Sequence, residues 1–262
     1  MKGHGKISVI TVCRNNKEGL ERTFRSLRDQ GAGDIEWLVI DRASSDGSLE
    51  WLKACTYDRL RFVSELCEGS YDAMNKAVRM VSGDWVLFLG AGAVFCEQRL
   101  LPKVIAMLMD CYDMVAGSTV YFSVYGSRVC HAKPLETVKK AMPFFLQSVL
   151  IKRELLLRHP FDLRYDRAGD YEFFYWAADQ RVADFVVGFP FTSFDGRCLP
   201  ADREAIETQR QYRKIQGRYR GCWNQLRWKG FVGWQRIRSV MEWLIPHAVI
   251  RARKRRYYTT DC

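Results

Sequence analysis

Long apolar segments are absent from this sequence. None of its 262 residues lies in an uninterrupted apolar run that approaches the roughly 18 residues of a membrane-spanning helix. The first residues, MKGHGKISVITV, lead directly into a strand-like pattern without the cleavage site of a signal peptide. A transmembrane or secreted protein is therefore not expected, and we predict a chain that stays in the cytosol.

Paired cysteines are absent as well. The nine cysteines are odd in number and scattered, and no two of them form a CxxC pair. This pattern excludes a disulfide framework and the common zinc-binding spacings, so we predict reduced thiols.

Acidic residues are scarce at one end of the chain. Residues 208–262 contain fourteen Lys and Arg but only Glu242 and Asp261, a local charge of +12 against +11 for the whole chain, so residues 1–207 sum to −1. Half of the eight tryptophans lie in the same segment: Trp223, Trp228, Trp234 and Trp243. Such a basic amphipathic segment is typical of helices that lie in the interface of an anionic membrane. Packing on the core and nucleic-acid binding are the alternatives, and the second leaves the nearly neutral remainder of the chain unexplained.

Strand and helix patterns alternate along the first hundred residues. Continuous apolar runs predict strands at 7–12, 37–40, 60–63 and 85–89, with amphipathic helices between them. The order is typical of an α/β domain with a mainly parallel sheet flanked by helices. Later patterns predict helices at 101–109 and 171–178 and strands at 114–125 and 182–187. We predict one domain over 1–207 and a helical basic extension over 208–262.

Two acidic residues follow the second predicted strand. Asp41 ends the strand, where a carboxylate can accept hydrogen bonds from a ribose diol or a base edge, and we predict a ligand role for it. Asp46 lies in the turn ASSDGS, where a helix cap and a ligand role fit the sequence equally well.

The stretch GSYDAMNKA predicts a helix start with anion-binding character. Gly69 permits an unusual backbone angle before the helix, and Asp72, Asn75 and Lys76 lie within about one turn of its start. Because a helix N-terminus attracts phosphate groups, we predict a nucleotide there. The alternative is that Asp72 only stabilises the helix dipole while Lys76 is solvated.

Asp170 lies at the end of a glycine-containing loop in AGDYEFF and begins a predicted helix. A carboxylate there is placed either to deprotonate a substrate hydroxyl or to cap the helix.

Five segments together resemble the family 2 glycosyltransferases, which are inverting enzymes of the GT-A fold: ISVITVCRNN, EWLVIDRASSDGS, RFVSELCEGSYDAMNKAV, SGDWVLFLGAGAVF and YDRAGDYEFF. The resemblance covers about residues 6–200 and is greatest to bacterial enzymes that build capsule, colanic acid or O-antigen chains. It implies that Asp41 and the Gly69 region hold the nucleoside of a nucleotide sugar. It further implies that Asp72, Asn75 and Lys76 shape the donor pocket and that Asp170 is the general base.

One segment departs from the family pattern. Where the family places acidic residues that bind Mg²⁺ or Mn²⁺, this chain has Gly90, Gly92 and Ala93, so no carboxylate remains as a ligand for a hard cation. We therefore expect no metal cofactor.

Three further departures accompany it. Cys67 stands where this branch often has Asp, Leu146 stands where it often has His, and Arg42 replaces a small residue after Asp41. In one interpretation Arg42, with Lys76 or tail arginines as further candidates, neutralises the leaving diphosphate in place of a metal. In the other, the protein is a catalytically impaired scaffold or binding protein at the membrane.

From these observations we predict an inverting glycosyltransferase that acts in surface polysaccharide synthesis. Its expected partners are a nucleotide sugar, a glycan or lipid-linked acceptor and a membrane surface, and we expect no nucleic acid. The expected location is cytoplasmic, peripheral on the inner face of a bacterial cell membrane.

Overall fold

The computed structural model describes residues 5–31, 35–123, 126–195 and 202–217. The four tryptophans and most of the cations of the predicted basic extension lie outside the described residues. Within the described ranges no helix is long and apolar enough to cross a membrane.

The first half of the domain alternates strands and helices as the sequence patterns predict. Its elements are β1 (Ile7–Cys13), α1 (Lys17–Arg28), β2 (Ile35–Asp41), α2 (Ser48–Ala54), β3 (Leu60–Ser64), α3 (Ser70–Met80) and β4 (Trp85–Phe88).

The second half contains shorter helices and longer strands. Its elements are β5 (Val94–Phe95), α4 (Leu100–Ile105), β6 (Met114–Ser123), β7 (Gly126–Cys130), β8 (Val149–Lys152), α5 (Arg153–Arg158), α6 (Gly169–Asp179), β9 (Asp184–Asp195) and α7 (Asp202–Ile215).

The nine strands found among the described residues form one sheet, in the order β3-β2-β1-β4-β8-β6-β9-β5 with β7 paired to β6. The four strands β3, β2, β1 and β4 are parallel, whereas β8 runs antiparallel to both β4 and β6. The sheet is therefore mixed: its first half is parallel as predicted, and β6 also pairs with β9 in parallel, whereas the pairings of β5, β7 and β8 are antiparallel. Because the chain moves from β1 outward to β3 and then returns to place β4 on the other side of β1, the topology switches between β1 and β4. Ligands of open α/β sheets bind at such a switch point.

Helices cover both faces of the sheet at its central strands, so the side chains on both faces are buried. Along β2, Trp37 and Val39 pack in a core with α1, α2 and α4, while Leu38 and Ile40 pack in a second core with α3 and α6. Alternate residues of a strand point to opposite faces, so an uninterrupted apolar run is what a doubly covered strand requires. This is why continuous apolar runs located these strands in the sequence.

The predicted domain boundary at 207/208 falls inside α7. Gln211 of α7 donates to Asp166 at 2.6 Å, and the Tyr212 ring stacks on Tyr171 of α6 at a centroid distance of 4.0 Å. Gln211 and Tyr212 thus pack on α6 and on the loop before it, so α7 continues across the boundary at 207/208, and the division into two domains stays a prediction.

Glu36 is a buried carboxylate on β2 that links three segments of the domain. Its oxygens accept hydrogen bonds from Ser8 Oγ at 2.6 Å and from the backbone of Ser82 and Gly83 at 2.7 and 2.9 Å, and Lys6 Nζ lies 3.1 Å away. Burial alone would raise the pKa of Glu36, but these hydrogen bonds lower it to about 2.

We expect Glu36→Gln to lower the free energy of unfolding at pH 7 by about 1–3 kcal/mol, the range for weakening hydrogen bonds to a buried charged group. Because the folded-state pKa lies below the unfolded value, this contribution is complete above about pH 5 and is lost as the pH falls toward 2. Urea unfolding at pH 7 and pH 3 measures it, with exposed Glu50→Gln as the control. A difference between wild type and Glu36→Gln that does not shrink at pH 3 would contradict the assignment.

Candidate active site

A cleft of about 390 Å³ opens at the carboxyl ends of β1 and β4, where the sheet topology switches. Val12 of β1 and Gly90 after β4 form its floor, and Ser70 and Tyr71 of α3 form one wall. The remaining lining residues include Phe145, Leu146, Gln147, Asp166, Arg167, Asp170 and Phe194. The cleft is therefore bounded by both halves of the domain.

The loops that follow β1 and β2 are joined to each other next to this cleft. The Asn15 backbone donates to Ser44 Oγ at 2.8 Å, and the Ser45 backbone donates to Asn15 Oδ1 at 2.8 Å. Asn15 and Ala43 adopt left-handed backbone conformations, with φ of 50° and 52°. These hydrogen bonds fix the position of the loop after β1 relative to the loop after β2.

Asp41 ends β2 as predicted, but its side chain is fully buried. Ser64 Oγ donates to it at 2.6 Å, and the Ser44 backbone N–H lies 3.2 and 3.3 Å from its two oxygens. In this geometry Asp41 shapes the loop after β2, and a nucleoside would reach its carboxylate only after these bonds rearrange.

Asp46 binds backbone groups at the starts of two helices, although the N-cap residues themselves are Gly47 for α2 and Asn16 for α1. It accepts hydrogen bonds from the Ser48 backbone at 3.1 Å, where α2 begins, and from the Lys17 backbone at 2.8 Å, where α1 begins. One carboxylate therefore serves two helix N-termini.

The turn from Gly90 to Ala93 is held by the protein's own polar groups. Thr23 Oγ donates to the Ala93 carbonyl at 2.8 Å, and Asn16 Nδ2 donates to the Ala91 carbonyl at 2.9 Å. Ala93 is 3% exposed, and its methyl group packs in the core on the α1 side of the sheet. The turn thus presents no oxygen-bearing side chain at the end of β4.

Arg42 follows β2 and reaches the N-terminus of α3. Its Nη1 and Nη2 lie 3.4 Å from Ser70 Oγ and 3.5 Å from the Cys67 carbonyl, both at the limit of hydrogen bonding. Its Nε is buried and has no hydrogen-bond partner among the described residues. Nor does any carboxylate in the described ranges form an ion pair with Arg42, so no acidic group there neutralises its charge next to Ser70, a residue of the cleft wall.

Lys76 differs from Arg42 because two carboxylates already bind it. Its Nζ lies 3.2 Å from Glu65 Oε1 and 3.2 Å from Asp72 Oδ2. Asp72 also accepts a hydrogen bond from the Glu68 backbone at 3.1 Å, so it stabilises the loop before α3. The geometry therefore favours the structural alternative for both Asp72 and Lys76.

The backbone conformation of Gly69 and the side-chain contacts of Asn75 also differ from what the sequence led us to expect. Gly69 has a φ of 164°, an extended conformation open to any residue, so the expected unusual backbone angle is absent. Asn75 donates to the Phe161 carbonyl and accepts from the Phe161 backbone N–H, both at 2.9 Å. Since both ends of its amide are used, Asn75 fastens α3 to the segment before α6, and its role in the donor pocket stays a prediction.

Asp170 lines the cleft from the first turn of α6, whose N-cap is Ala168. Its Oδ1 accepts hydrogen bonds from Tyr71 Oη and from the Tyr171 backbone N–H, both at 2.8 Å, and its Oδ2 makes none within the described residues. Burial raises the pKa of Asp170, and the hydrogen bonds from Tyr71 and Tyr171 lower it in part. A carboxylate with a raised pKa and one unbonded oxygen in a cleft is suited to accept a proton.

Residues 8–169, more than half of the chain, match the model of the family described as Glycosyl transferase family 2. This chain belongs to that family. An uncharacterized glycosyltransferase of Mycobacterium tuberculosis is 30% identical over 186 residues, which cover 66% of this chain and 68% of that protein. A PGL/p-HBAD biosynthesis glycosyltransferase of Mycobacterium bovis is 28% identical over 172 residues, which cover 63% of this chain and 67% of that protein.

A solved glycosyltransferase structure has the same architecture. The mannosyltransferase PcManGT from Pyrobaculum calidifontis, in complex with GDP-Man and Mn²⁺, superposes with a TM-score of 0.62 at 21% identity and covers 81% of this chain. This chain spans 63% of that protein's length. The GT-A fold predicted from the sequence is thereby confirmed, as is glycosyltransferase activity from the family and its relatives.

The residues of this glycosyltransferase do not fit the divalent ion that its family commonly binds. The end of β4 offers Gly90, Ala91, Gly92 and Ala93, and no group of three His, Cys, Asp or Glu in the described part of the chain is arranged to hold a metal ion. Mg²⁺ and Mn²⁺ require several oxygen ligands, and side-chain carboxylates usually supply them. Arg42, which forms no ion pair with a carboxylate in the described part of the chain, instead places a cation beside Ser70 of the cleft wall.

Sequence reasoning missed several polar residues that line this glycosyltransferase's cleft, among them Tyr71 and Gln147. Gln147 Oε1 lies 4.0 Å from the position that a Cβ on Gly90 would occupy, so its amide faces the floor of the cleft. No local pattern marks Gln147, because it sits in a short 3₁₀ turn, Leu146–Ser148, before β8. Tyr71 lies in the motif that the sequence singled out, but its partner Asp170 is 99 residues away.

Proposed function

We propose that this glycosyltransferase moves a sugar, with inversion, from a nucleoside diphosphate sugar to a hydroxyl group of an acceptor, and that Asp170 is the general base. The observation that carries the proposal is the position of the Asp170 carboxylate. It lines the cleft at the sheet's topological switch point, with Oδ2 free of hydrogen bonds within the described residues. Ligands of open α/β sheets bind in that place.

The proposed reaction is a single displacement. The acceptor oxygen attacks the anomeric carbon of the donor sugar while the bond from that carbon to the diphosphate oxygen breaks. The acceptor's proton goes to Asp170, and the electron pair of the broken bond leaves with the nucleoside diphosphate. Because attack comes from the face opposite the leaving group, the anomeric configuration inverts.

We propose further that Arg42 neutralises the leaving diphosphate and that no divalent ion is required. A guanidinium group donates two parallel hydrogen bonds to phosphate oxygens and stays charged at every physiological pH. The hydrogen bonds of Arg42 are long and weak, and its Nε has no partner among the described residues. Such a side chain can bind an anion without first breaking strong bonds within the protein. The neighbouring Ser70 backbone begins an 11-residue helix, whose N-terminus adds favourable partial charge for phosphate.

The proposed acceptor is a lipid-linked glycan at the inner face of the membrane, in the synthesis of a surface polysaccharide. The support is the composition of residues 208–262, whose tryptophans and cations suit an anionic membrane interface. A relative that acts, by its name, in PGL/p-HBAD biosynthesis is consistent with an acceptor that is itself an intermediate of a biosynthetic pathway.

Donor turnover with and without a chelator tests this function. Purified protein is incubated with a panel of nucleotide sugars and vesicle-borne lipid-linked acceptors, and nucleoside diphosphate release is measured with EDTA or with added Mn²⁺. We expect release from at least one donor at rates that agree within about twofold in the two conditions. A donor that raises the melting temperature but is never turned over would instead identify a binding scaffold, since binding to the folded state alone is stabilising. Release that stops in EDTA would contradict the metal-free mechanism.

A further inference from the structure

We propose that Tyr71 is a positioning residue that holds the Asp170 carboxylate with Oδ2 directed to the substrate. This inference rests on the proposed role of Asp170 as the base. It begins from the hydrogen bond of 2.8 Å between the Tyr71 hydroxyl and Asp170 Oδ1. A second bond of 2.8 Å, from the Tyr171 backbone N–H, reaches the same oxygen. With both donors on Oδ1, the carboxylate is fixed in rotation and Oδ2 is left to accept the proton.

The Tyr71 ring is itself held on both sides. A Cβ added to Gly169, the first residue of α6, would lie 3.0–3.1 Å from three ring carbons, so a methyl group there would push the ring away by a few tenths of an ångström. On its other side the ring contacts Phe161 at a centroid distance of 5.2 Å. Phe161 is in turn bonded through both backbone groups to Asn75.

Tyr71 and Asn75 are four residues apart and so share one face of α3. From that face Asn75 fixes the segment that leads into α6, and Tyr71 fixes the base at the start of α6. Helix α3 thus aligns a carboxylate that belongs to another element of the domain. Because burial raises the pKa of Tyr71 and the nearby Asp170 raises it further, the hydroxyl stays protonated and remains a donor.

The variant Tyr71→Phe isolates this hydrogen bond because it keeps the ring and removes only the hydroxyl. We expect kcat/KM to fall about tenfold at neutral pH, the usual effect of losing one hydrogen bond to a charged group. The acidic limb of the pH profile should move to higher pH, since the Tyr71 hydrogen bond lowers the pKa of Asp170. Donor binding, measured by thermal shift, should be unchanged. Tyr112→Phe, whose ring stacks on Phe185 away from the cleft, is the matched control.

Two further variants separate positioning from a merely structural role. Gly169→Ala keeps the Tyr71 hydroxyl and the Asp170 carboxylate but displaces the Tyr71 ring. It should therefore move the acidic limb of the pH profile of kcat/KM to higher pH, as Tyr71→Phe does. In an Asp170→Asn background, Tyr71→Phe should cause no additional loss, because it acts only through that carboxylate. The proposal would be overturned if the acidic limb stayed at the wild-type pH in both Tyr71→Phe and Gly169→Ala. It would also be overturned if Tyr71→Phe lowered kcat/KM by a further tenfold in the Asp170→Asn background. If Asp170→Asn itself retains full activity, the proposed base is wrong, which is a separate result.

Discussion

Asp170→Asn is expected to lower kcat about 10³-fold while leaving donor binding unchanged. General base catalysis contributes roughly 10²–10⁴-fold, and asparagine is isosteric with aspartate but cannot accept the acceptor's proton. The Tyr71 hydroxyl can still donate to the amide oxygen, so the first turn of α6 should keep its geometry. Single-turnover formation of the glycoside product measures the chemical step, and thermal shift with the donor measures binding.

A nearby carboxylate outside the cleft provides the control. Asp162 lies in the loop that precedes α6, and its oxygens accept hydrogen bonds from Arg164 at 2.6–3.0 Å. Asp162→Asn removes one negative charge from the same region and should leave kcat within about twofold of wild type. Equal losses in Asp162→Asn and Asp170→Asn would show that the local charge matters and that proton acceptance by Asp170 does not.

The pH dependence of the wild-type enzyme follows from the same carboxylate. Because burial raises the pKa of Asp170 above that of an ordinary aspartate, the base is protonated, and activity is lost, at a higher pH than an exposed aspartate would give. Activity should therefore rise with pH through this pKa and then reach a plateau, as long as no other group titrates.

Three strands of the first half, β1, β2 and β4, could be predicted from the sequence because each is buried on both faces, whereas the edge strand β3 is only partly buried. A doubly buried strand needs an unbroken apolar run, so β1, β2 and β4 are visible as continuous segments. The strands β7 and β8 are not predicted, because no residue of Gly126–Cys130 is fully buried and because helix α5 follows Val149–Lys152 without an intervening turn. Their places in the sheet depend on pairing with the distant strand β6, which no local pattern records.

For the candidate site too, local sequence patterns do not record contacts between residues far apart in the chain. Asp170 was found because a family motif marks it, and the structure places it in the cleft. Asn75 and Lys76 belong to an equally specific motif, yet their side chains bind Phe161 and Glu65 within the protein. A motif identifies positions that matter, but whether a polar side chain faces a ligand or another segment depends on contacts between residues far apart in sequence. For Asn75 that separation is 86 residues.

Arg42→Ala is expected to lower kcat/KM for transfer by about 10²-fold and to weaken nucleoside diphosphate binding, whether or not EDTA is present. Removing one group that stabilises developing charge on a leaving group commonly costs factors of about 10²–10³. Arg42→Lys should recover part of the loss, because a lysine supplies the charge without the paired hydrogen bonds of the guanidinium. Isothermal titration with UDP and GDP, together with steady-state kinetics, gives both quantities.

The melting temperature of the ligand-free protein distinguishes a role of Arg42 in diphosphate binding from a role in supporting the fold. The buried Nε has no hydrogen-bond partner among the described residues, and an unsatisfied buried donor costs about 1–3 kcal/mol. The ligand-free Arg42→Ala protein should therefore melt at the same temperature as wild type or higher, although its activity falls. Arg61→Ala, which removes an exposed guanidinium bonded to the Met80 carbonyl, should change neither activity nor diphosphate binding. If Arg42→Ala instead melts at a lower temperature and binds diphosphate as tightly as wild type, Arg42 supports the fold, and another cation must neutralise the leaving group.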